Sequence, residues 1–302
     1  MKLSMPFLLF SLLFSSPLVF AEADKSFSSP NKKEAQAHAD TKAQEKANAH
    51  RQKILKEAVS AIEETGKAFQ AIDKKNKKEA LTSLKNATGQ LEILIAREPS
   101  MVMAPFNVSV VTESILNDAK SIDKIKKEVV NLIEKDEVQK ARTVLRQLAS
   151  ETRISVANIP LASYPAALKE AARLVDENKF DEAKMTLGSA LSTVVVTQTT
   201  IPLPVLRADY FIQRAEKLSQ KDNTNKDITK LIEASRQDLR VAQELGYGHR
   251  SEYDKAFSQL DKIKDKTEDG KVSSDLFRDV QSTIAKLYTD QDEIQAQEIQ
   301  EE

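Results

Sequence analysis

A repeated unit that ends at prolines is the feature that most restricts the fold of this chain. Residues Leu132–Leu161 align with Leu174–Leu203 at a constant offset of 42 residues, and a fainter copy lies 61 residues before the first, around Ile72. Each copy has the pattern of a helix end, a short polar turn, a second helix with Ala and Leu on its inner face, and an extended connector. Proline cannot continue a helix and forces the preceding residue into an extended conformation, so the connectors are real boundaries. Their prolines are Pro99, Pro105, Pro160, Pro165, Pro202 and Pro204.

The rest of the chain is also helical by its pattern. Apolar residues recur at steps of three, four or seven from Ile54 onward, which is typical of helices that face a core. Only 6 of the 302 residues are glycine, about 2% against the usual ~7%, so turn-rich sandwiches and barrels are hard to place. The 42- and 61-residue spacings also do not fit a 34-residue solenoid. The sequence therefore predicts a mainly α protein, a helical bundle built from duplicated helical hairpins.

The connectors are unusual because they are apolar and β-branched, whereas loops generally carry polar turn residues. Three outcomes are open for them. They could form a short two-stranded β ribbon that crosses the bundle, they could fold onto the core, or they could expose an apolar surface for a partner, a ligand or a second subunit. The candidate apolar interaction surface consists of Met101, Met103, Phe106, Ile159, Leu161, Tyr164, Ile201 and Leu203.

The N-terminus has the pattern of a secretory signal peptide. Lys2 supplies a positive charge, an apolar run follows over Met5–Leu13, and Val19–Ala21 is a small-residue cleavage site. The apolar run is too short to span a bilayer. We expect residues 1–21 to be removed after Ala21, and the mature chain to be periplasmic and without a transmembrane segment.

A polar, low-complexity arm is expected over residues 22–53. From Ser28 to Lys53 there is no Val, Ile, Leu, Met, Phe or Tyr. Such a segment has helix propensity but nothing to bury, so the sequence predicts a frayed helix or a disordered, solvated arm. The helical domain is expected over residues 54–290, and residues 291–302 form a second polar tail.

Composition excludes several kinds of site. The chain has no cysteine, and therefore no disulfide, no thiolate metal site and no cysteine nucleophile. Its 45 basic and 46 acidic residues nearly cancel, which removes the net basic face that bulk nucleic-acid binding needs. The histidines His38, His50 and His249 are not spaced as a metal pair on a helix face. We expect no catalytic residue, no metal, no cofactor and no nucleic-acid partner.

Two smaller features remain as candidates. Tyr247 and His249 lie beside a glycine-containing turn, and imidazole titrates near pH 6.5, so this turn is a candidate pH-responsive element. Tyr164, Tyr210 and Tyr247 are the candidate aromatic residues of a small-ligand pocket.

Several segments together resemble the YfdX family. They are Arg153–Pro165, Ala171–Leu174, Phe180–Lys184, Ile201–Pro204 and Ala242–Gly248. The resemblance runs from about Ile54 to Leu287, and the polar arm is similar to that of the long members carried in enterobacterial heat-resistance loci. It implies an exported, helix-rich, self-associating protein linked to heat, acid or antibiotic stress, with chaperone-like activity. The family has no established catalytic residues.

Two functions follow as expectations. The first is a non-enzymatic periplasmic stress-response protein that holds unfolding periplasmic proteins and forms a homo-oligomer. The alternative is a helical module that binds a small ligand, which should show one concave pocket with a few convergent polar groups.

Overall fold

The computed structural model describes residues 30–115, 118–220, 225–268 and 272–301, and this part of the chain is mainly α. The expected signal peptide, residues 1–21, lies outside it. The strands are β1 (Met103–Glu113), β2 (Glu151–Pro160) and β3 (Val195–Pro202). The helices are α1 (Pro30–Gln52), α2 (Lys56–Asp73), α3 (Lys77–Arg97), α4 (Ala119–Glu134), α5 (Val138–Leu145), α6 (Tyr164–Asp176), α7 (Phe180–Ser192), α8 (Leu203–Ser219), α9 (Asn225–Leu245), α10 (Arg250–Glu268) and α11 (Ser274–Glu301).

The repeat seen in the sequence is a helical hairpin followed by a strand. The three copies are α2–α3–β1, α4–α5–β2 and α6–α7–β3. Their connectors pair in an antiparallel sheet of order β1–β2–β3. The predicted bundle of duplicated hairpins is therefore confirmed. Of the three outcomes open for the connectors, a β ribbon is the one that forms, but it has three strands instead of two, because the connector of the fainter copy also joins the sheet.

The hairpin turns confirm that the three copies are equivalent. Lys75, Asp136 and Asn178 have φ values of 54°, 58° and 62°, and they are separated by 61 and 42 residues, the offsets of the repeat. In each turn the next residue donates its backbone N–H to the carbonyl four positions before the left-handed residue, which closes the helix in a Schellman motif.

The helices form two separate cores. The hairpin core is formed by α2, α3, α6 and α7, together with Ala104 of β1 and Ile159 of β2. The C-terminal core is formed by α8 to α11 together with Ala35 of α1, and Phe211, Tyr253 and Phe277 are among its fully buried side chains. A smaller group, the sheet core, consists of Ala39, Ala43, Ala47, Ile154, Val156, Ile201, Leu203 and Leu206.

The turn between α9 and α10 depends on a glycine that allows close packing. Gly248 has φ +66°, and a Cβ added to it would lie 2.9 Å from Cδ2 of Leu287 and 3.3 Å from the Leu287 carbonyl oxygen. Both the backbone conformation and the space therefore require glycine here.

We expect Gly248→Ala to destabilise the fold by about 2 kcal/mol, because it adds backbone strain and overpacks α11. The melting temperature should fall by about 5 °C. The matched control is Gly66→Ala in α2, where a Cβ meets nothing within 4 Å and alanine should stabilise the helix by about 1 kcal/mol. Equal melting temperatures for the two variants would contradict this reading of the turn.

Candidate interaction surface

Most of the predicted apolar interaction surface lies inside the folded chain. Ile159, Leu161 and Tyr164 are buried in the hairpin core, and Ile201 and Leu203 are buried in the sheet core. In the folded single chain these five residues therefore do not form an exposed surface. Their role as an interaction surface stays a prediction.

The other three candidates lie at the start of β1. Met101 and Phe106 are partly buried against the hairpin core, and Met103 is 37% exposed. Met103 is thus the one residue of the predicted set that the described structure leaves substantially open. A single exposed side chain is not an interaction surface.

The sheet core is an apolar surface that helix α1 covers. Ile154 and Val156 project from the same face of β2, and Ile201, Leu203 and Leu206 come from β3 and the start of α8. Val108 and Val110 of β1 pack against this group. Helix α1 lies along α8 and contacts β1 and β2, so it covers this face.

The solvated arm predicted from the sequence is wrong over the described part of that segment. Helix α1 is regular from Pro30 to Gln52, and Ala35, Ala39, Ala43 and Ala47 are all buried. Their four-residue spacing places them on one face of the helix. Because alanine has only a methyl side chain, the α1 backbone lies close to the sheet and to α8.

This cover was missed because a search for large apolar residues finds none in the arm. The signal that could have found it is the i, i+4 spacing of the four alanines among otherwise polar residues. Spacing alone does not show what the alanines pack against, since the covered face comes from segments more than 100 residues later in the chain.

A buried ion pair lies beneath the N-terminal half of α1. Nε and Nη2 of Arg207 are each 3.0 Å from Oδ1 of Asp238, and both side chains are almost fully buried. Nη1 of Arg207 donates to Oε1 of Gln36 on α1 at 2.8 Å. Burial raises the pKa of Asp238 although Arg207 opposes this. Helix α1 thus supplies a hydrogen-bond acceptor to a buried arginine.

More exposed polar contacts fasten α1 along α8 and α11. Glu34 accepts a hydrogen bond from the Tyr210 hydroxyl at 2.9 Å and pairs with Arg214. The His38 ring lies 5.0 Å from the Tyr210 ring, centroid to centroid. Lys46 lies over the Tyr288 ring of α11 at 4.4 Å. Such contacts orient the helix, but exposed pairs of this kind stabilise by about 1 kcal/mol or less.

The surroundings of His38 predict that the docking of α1 depends on pH. Burial lowers the pKa of His38, and the nearby Lys42 and Lys217 lower it further, whereas Glu45 opposes them. The docked helix therefore favours the neutral imidazole. The resulting stabilisation is present above the ordinary pKa near 6.5 and is lost as the pH falls through the lowered value. Asp209 of α8 has the opposite pH dependence. Burial raises its pKa, so its contribution to stability is present at low pH and is lost as the pH rises.

The aromatic residues proposed for a ligand pocket are not brought together. Tyr164 lies in the hairpin core, and Tyr210 contacts α1. The Tyr247 hydroxyl accepts from the Ser150 backbone N–H at 3.0 Å and donates to Oε2 of Glu151 at 2.7 Å. Tyr247 therefore joins the C-terminal core to the sheet, and burial raises its pKa. His249 is exposed beside it, and its carbonyl accepts the Glu252 N–H in the first turn of α10.

Within residues 30–115, 118–220, 225–268 and 272–301, no group of three or more His, Asp or Glu side chains could hold a metal ion. None of the helices searched in these ranges has the length and apolarity to cross a membrane.

Comparison with known proteins gives a family. The family described as YfdX protein matches residues 61–200. Over these residues, somewhat less than half of its length, the chain is similar to the YfdX family. A solved structure of YfdX from Salmonella Typhi is also similar, with 16% sequence identity and a TM-score of 0.35, over 50% of this chain and 93% of that chain. Among curated proteins, none matches the chain.

The YfdX match corresponds to the repeat. It begins within α2 and ends within β3, so it contains the three hairpins and their strands. Helix α1 and the C-terminal helices α8 to α11 lie outside it. The cover on the sheet core is therefore formed by a helix that the YfdX match does not include.

We expect acidification to loosen α1 from the YfdX sheet through His38. The chain has no cysteine, so Ala43→Cys places a single thiol under α1, and Ala37→Cys places one on its exposed side. The measurement is the ratio of their labelling rates with a thiol reagent. At about pH 7.5 the thiol of Ala43→Cys should react at about one tenth of the rate of the Ala37→Cys thiol, or more slowly. By about pH 5.5 the rate of the buried thiol relative to the exposed one should have risen.

Adding His38→Gln to both cysteine variants separates the contribution of the imidazole from the contributions of Asp209 and Asp238. The substitution should remove a measurable part of the acid-induced rise in the labelling ratio. An unchanged pH dependence in the His38→Gln pair would show that His38 does not control the docking of α1.

Proposed function

We propose that the chain is a non-enzymatic stress-response protein, exported to the periplasm, that holds unfolding proteins on the sheet core after α1 is displaced. The observation that carries the proposal is the mismatch between cover and covered surface. After Pro30, its first residue, α1 has no apolar side chain larger than alanine, yet it covers isoleucine, valine and leucine side chains from β2, β3 and α8.

The cover is weakly held for the area it protects. Burying a methyl group stabilises by about 0.8 kcal/mol, so the four alanines contribute about 3 kcal/mol. Ordering even a few residues costs about 1–2 kcal/mol each in backbone entropy. The polar contacts of Glu34 and His38 can be replaced by water when the helix leaves. Local release of α1 is thus expected well below the temperature at which the two helical cores unfold.

The surface beneath α1 suits an unfolding protein as its ligand. Ile154 and Val156 form a β-branched row on one face of the central strand, and Leu203 and Leu206 extend it onto α8. A broad apolar face without a deep pocket selects for apolarity rather than for one molecular shape. Unfolding proteins expose that property, and a monomer rarely leaves such a patch uncovered.

The family resemblance supports the same reading. YfdX relatives of the long form are associated with heat, acid and antibiotic tolerance and with chaperone-like activity. Release of α1 by heat follows from its weak docking, and release by acid follows from the lowered pKa of His38. One element would then respond to both stresses.

The test compares two variants of identical composition. Ala39→Leu with Ala43→Leu overfills the buried face and should displace α1, whereas Ala37→Leu with Ala49→Leu adds the same side chains to its exposed side. The buried-face variant should suppress aggregation of a model client at a temperature about 10 °C lower than the control requires, because release no longer needs heat.

The readout is light scattering of the heated client, with binding of an apolar dye recorded in parallel. Dye binding without protection of the client in the buried-face variant would show that the uncovered sheet is not a holding surface. Equal protection by both variants would place the holding surface elsewhere.

Export is a separate part of the proposal. We expect the mature protein to lack residues 1–21 and to be recovered in the periplasmic fraction, because the N-terminus has the charge, apolar run and small-residue site of a cleavable signal peptide. Intact-mass measurement of the purified periplasmic protein checks this. A mass that includes Met1 would contradict cleavage.

A further inference from the structure

The α4–α5 hairpin carries an apolar face that the rest of the described chain does not cover. Val130, Ile133, Val138 and Leu145 are 54%, 50%, 55% and 48% exposed. The hairpin is held to the other helices mainly by α4, which lies against α9. Nζ of Lys126 forms an ion pair with Oε2 of Glu244 there, at 2.8 Å. Val130 and Ile133 lie one and two turns beyond Lys126, toward the turn of the hairpin, where α4 is exposed.

The repeat shows what this face does in the other two copies. The 42-residue offset relates the four exposed residues to positions in α6 and α7, and the 61-residue offset relates them to positions in α2 and α3. Seven of these eight positions lie in or against the hairpin core, Lys77 being the exception. They are Ala172, Val175, Phe180 and Leu187 at the first offset, and Phe69, Ile72 and Leu84 at the second.

Those two hairpins bury this face against each other. Helix α3 packs on α6 and helix α2 on α7, so the four helices form one bundle with both turns at the same end. Ion pairs fasten the turn end, where Lys77 lies 2.9 Å from Asp176 and Lys184 pairs with Asp73. Within the described residues the chain therefore contains one complete pair of hairpins and one hairpin, α4–α5, that no other hairpin covers.

The charges on the third hairpin fit a copy of itself. Glu134 is equivalent both to Asp73, at the 61-residue offset, and to Asp176, at the 42-residue offset. Arg142 is equivalent to Lys184. Within the described part of the chain neither Glu134 nor Arg142 takes part in an ion pair. If two α4–α5 hairpins pack as α2–α3 packs on α6–α7, the Asp73–Lys184 pair predicts that Glu134 of each copy meets Arg142 of the other. The Lys77–Asp176 pair has no charged counterpart there, because Lys77 is equivalent to Val138.

We propose that two copies of this chain associate through their α4–α5 hairpins, in a two-fold arrangement with α4 of one copy antiparallel to α5 of the other and both turns at the same end. The interface reproduces the internal hairpin pair. Val130, Ile133, Val138 and Leu145 form its apolar centre, and two Glu134–Arg142 pairs fasten its turn end. This inference does not depend on client holding or on α1.

The first experiment measures the mass of the full mature chain against concentration by sedimentation. The wild type should approach twice the chain mass. Ile133→Asp with Leu145→Asp should remain monomeric, with a dissociation constant raised at least tenfold. The matched control, Ile93→Asp with Met185→Asp, changes two similarly exposed apolar residues on other helices and should dimerise normally.

The second experiment reverses the charges. Glu134→Arg and Arg142→Glu should each weaken the dimer, and the chain with both changes should recover it, because each pair is then restored with opposite polarity. Recovery in the double variant supports the proposed contact, since a structural defect would add up instead. Circular dichroism spectra that match the wild type show that the variants are folded. If the Asp variant of the first experiment does not fold, Val130→Ser with Val138→Ser takes its place as the variant of the apolar centre.

The proposal is overturned if the wild type is monomeric at all concentrations, or if its dimer survives the Asp substitutions in α4 and α5. It is also overturned if the double charge reversal is weaker than either single change. None of these outcomes bears on client holding, which is measured by the variants of α1.

Discussion

The backbone hydrogen bonds between the three connectors organise the whole chain. Strand β2 pairs with β1 on one side and β3 on the other, and its residues enter three different environments. Ile159 lies in the hairpin core, Ile154 and Val156 lie in the sheet core, and Glu151 accepts the hydrogen bond of Tyr247 from the C-terminal core. Because each strand follows its own hairpin within a few residues, pairing of the strands also determines where the hairpins are placed.

Local pattern was sufficient to predict the helices but not the sheet. The periodic stripes and the prolines that bound them are properties of neighbouring residues, so hairpins and connectors could be located from the sequence. The β-branched connectors also suggested strands. The number of strands could not be obtained in that way, because β1 and β2 pair residues that are 38 to 57 positions apart and the connector of the fainter copy also contributes a strand.

The interaction surface was harder to predict because apolarity does not distinguish a core residue from an interface residue. Their chemistry alone predicts Ile201 and Leu203 as surface residues, and the fold places them under α1. A helix whose apolar residues are alanines is predicted to bury nothing, although close approach of two backbones needs small side chains. In both cases the deciding fact is the shape of a distant segment, which composition and periodicity do not contain.

The repeat count has a consequence of its own. Hairpins that satisfy one another two at a time leave a remainder of one in any chain with an odd number of units, whatever their individual sequences. In the described residues the remainder is the middle unit, α4–α5. Gain of a further unit by duplication would give an even number and could close the chain on itself. Whether such a chain leaves an apolar hairpin face uncovered therefore depends first on whether its number of hairpins is odd or even, and only then on the strength of any contact.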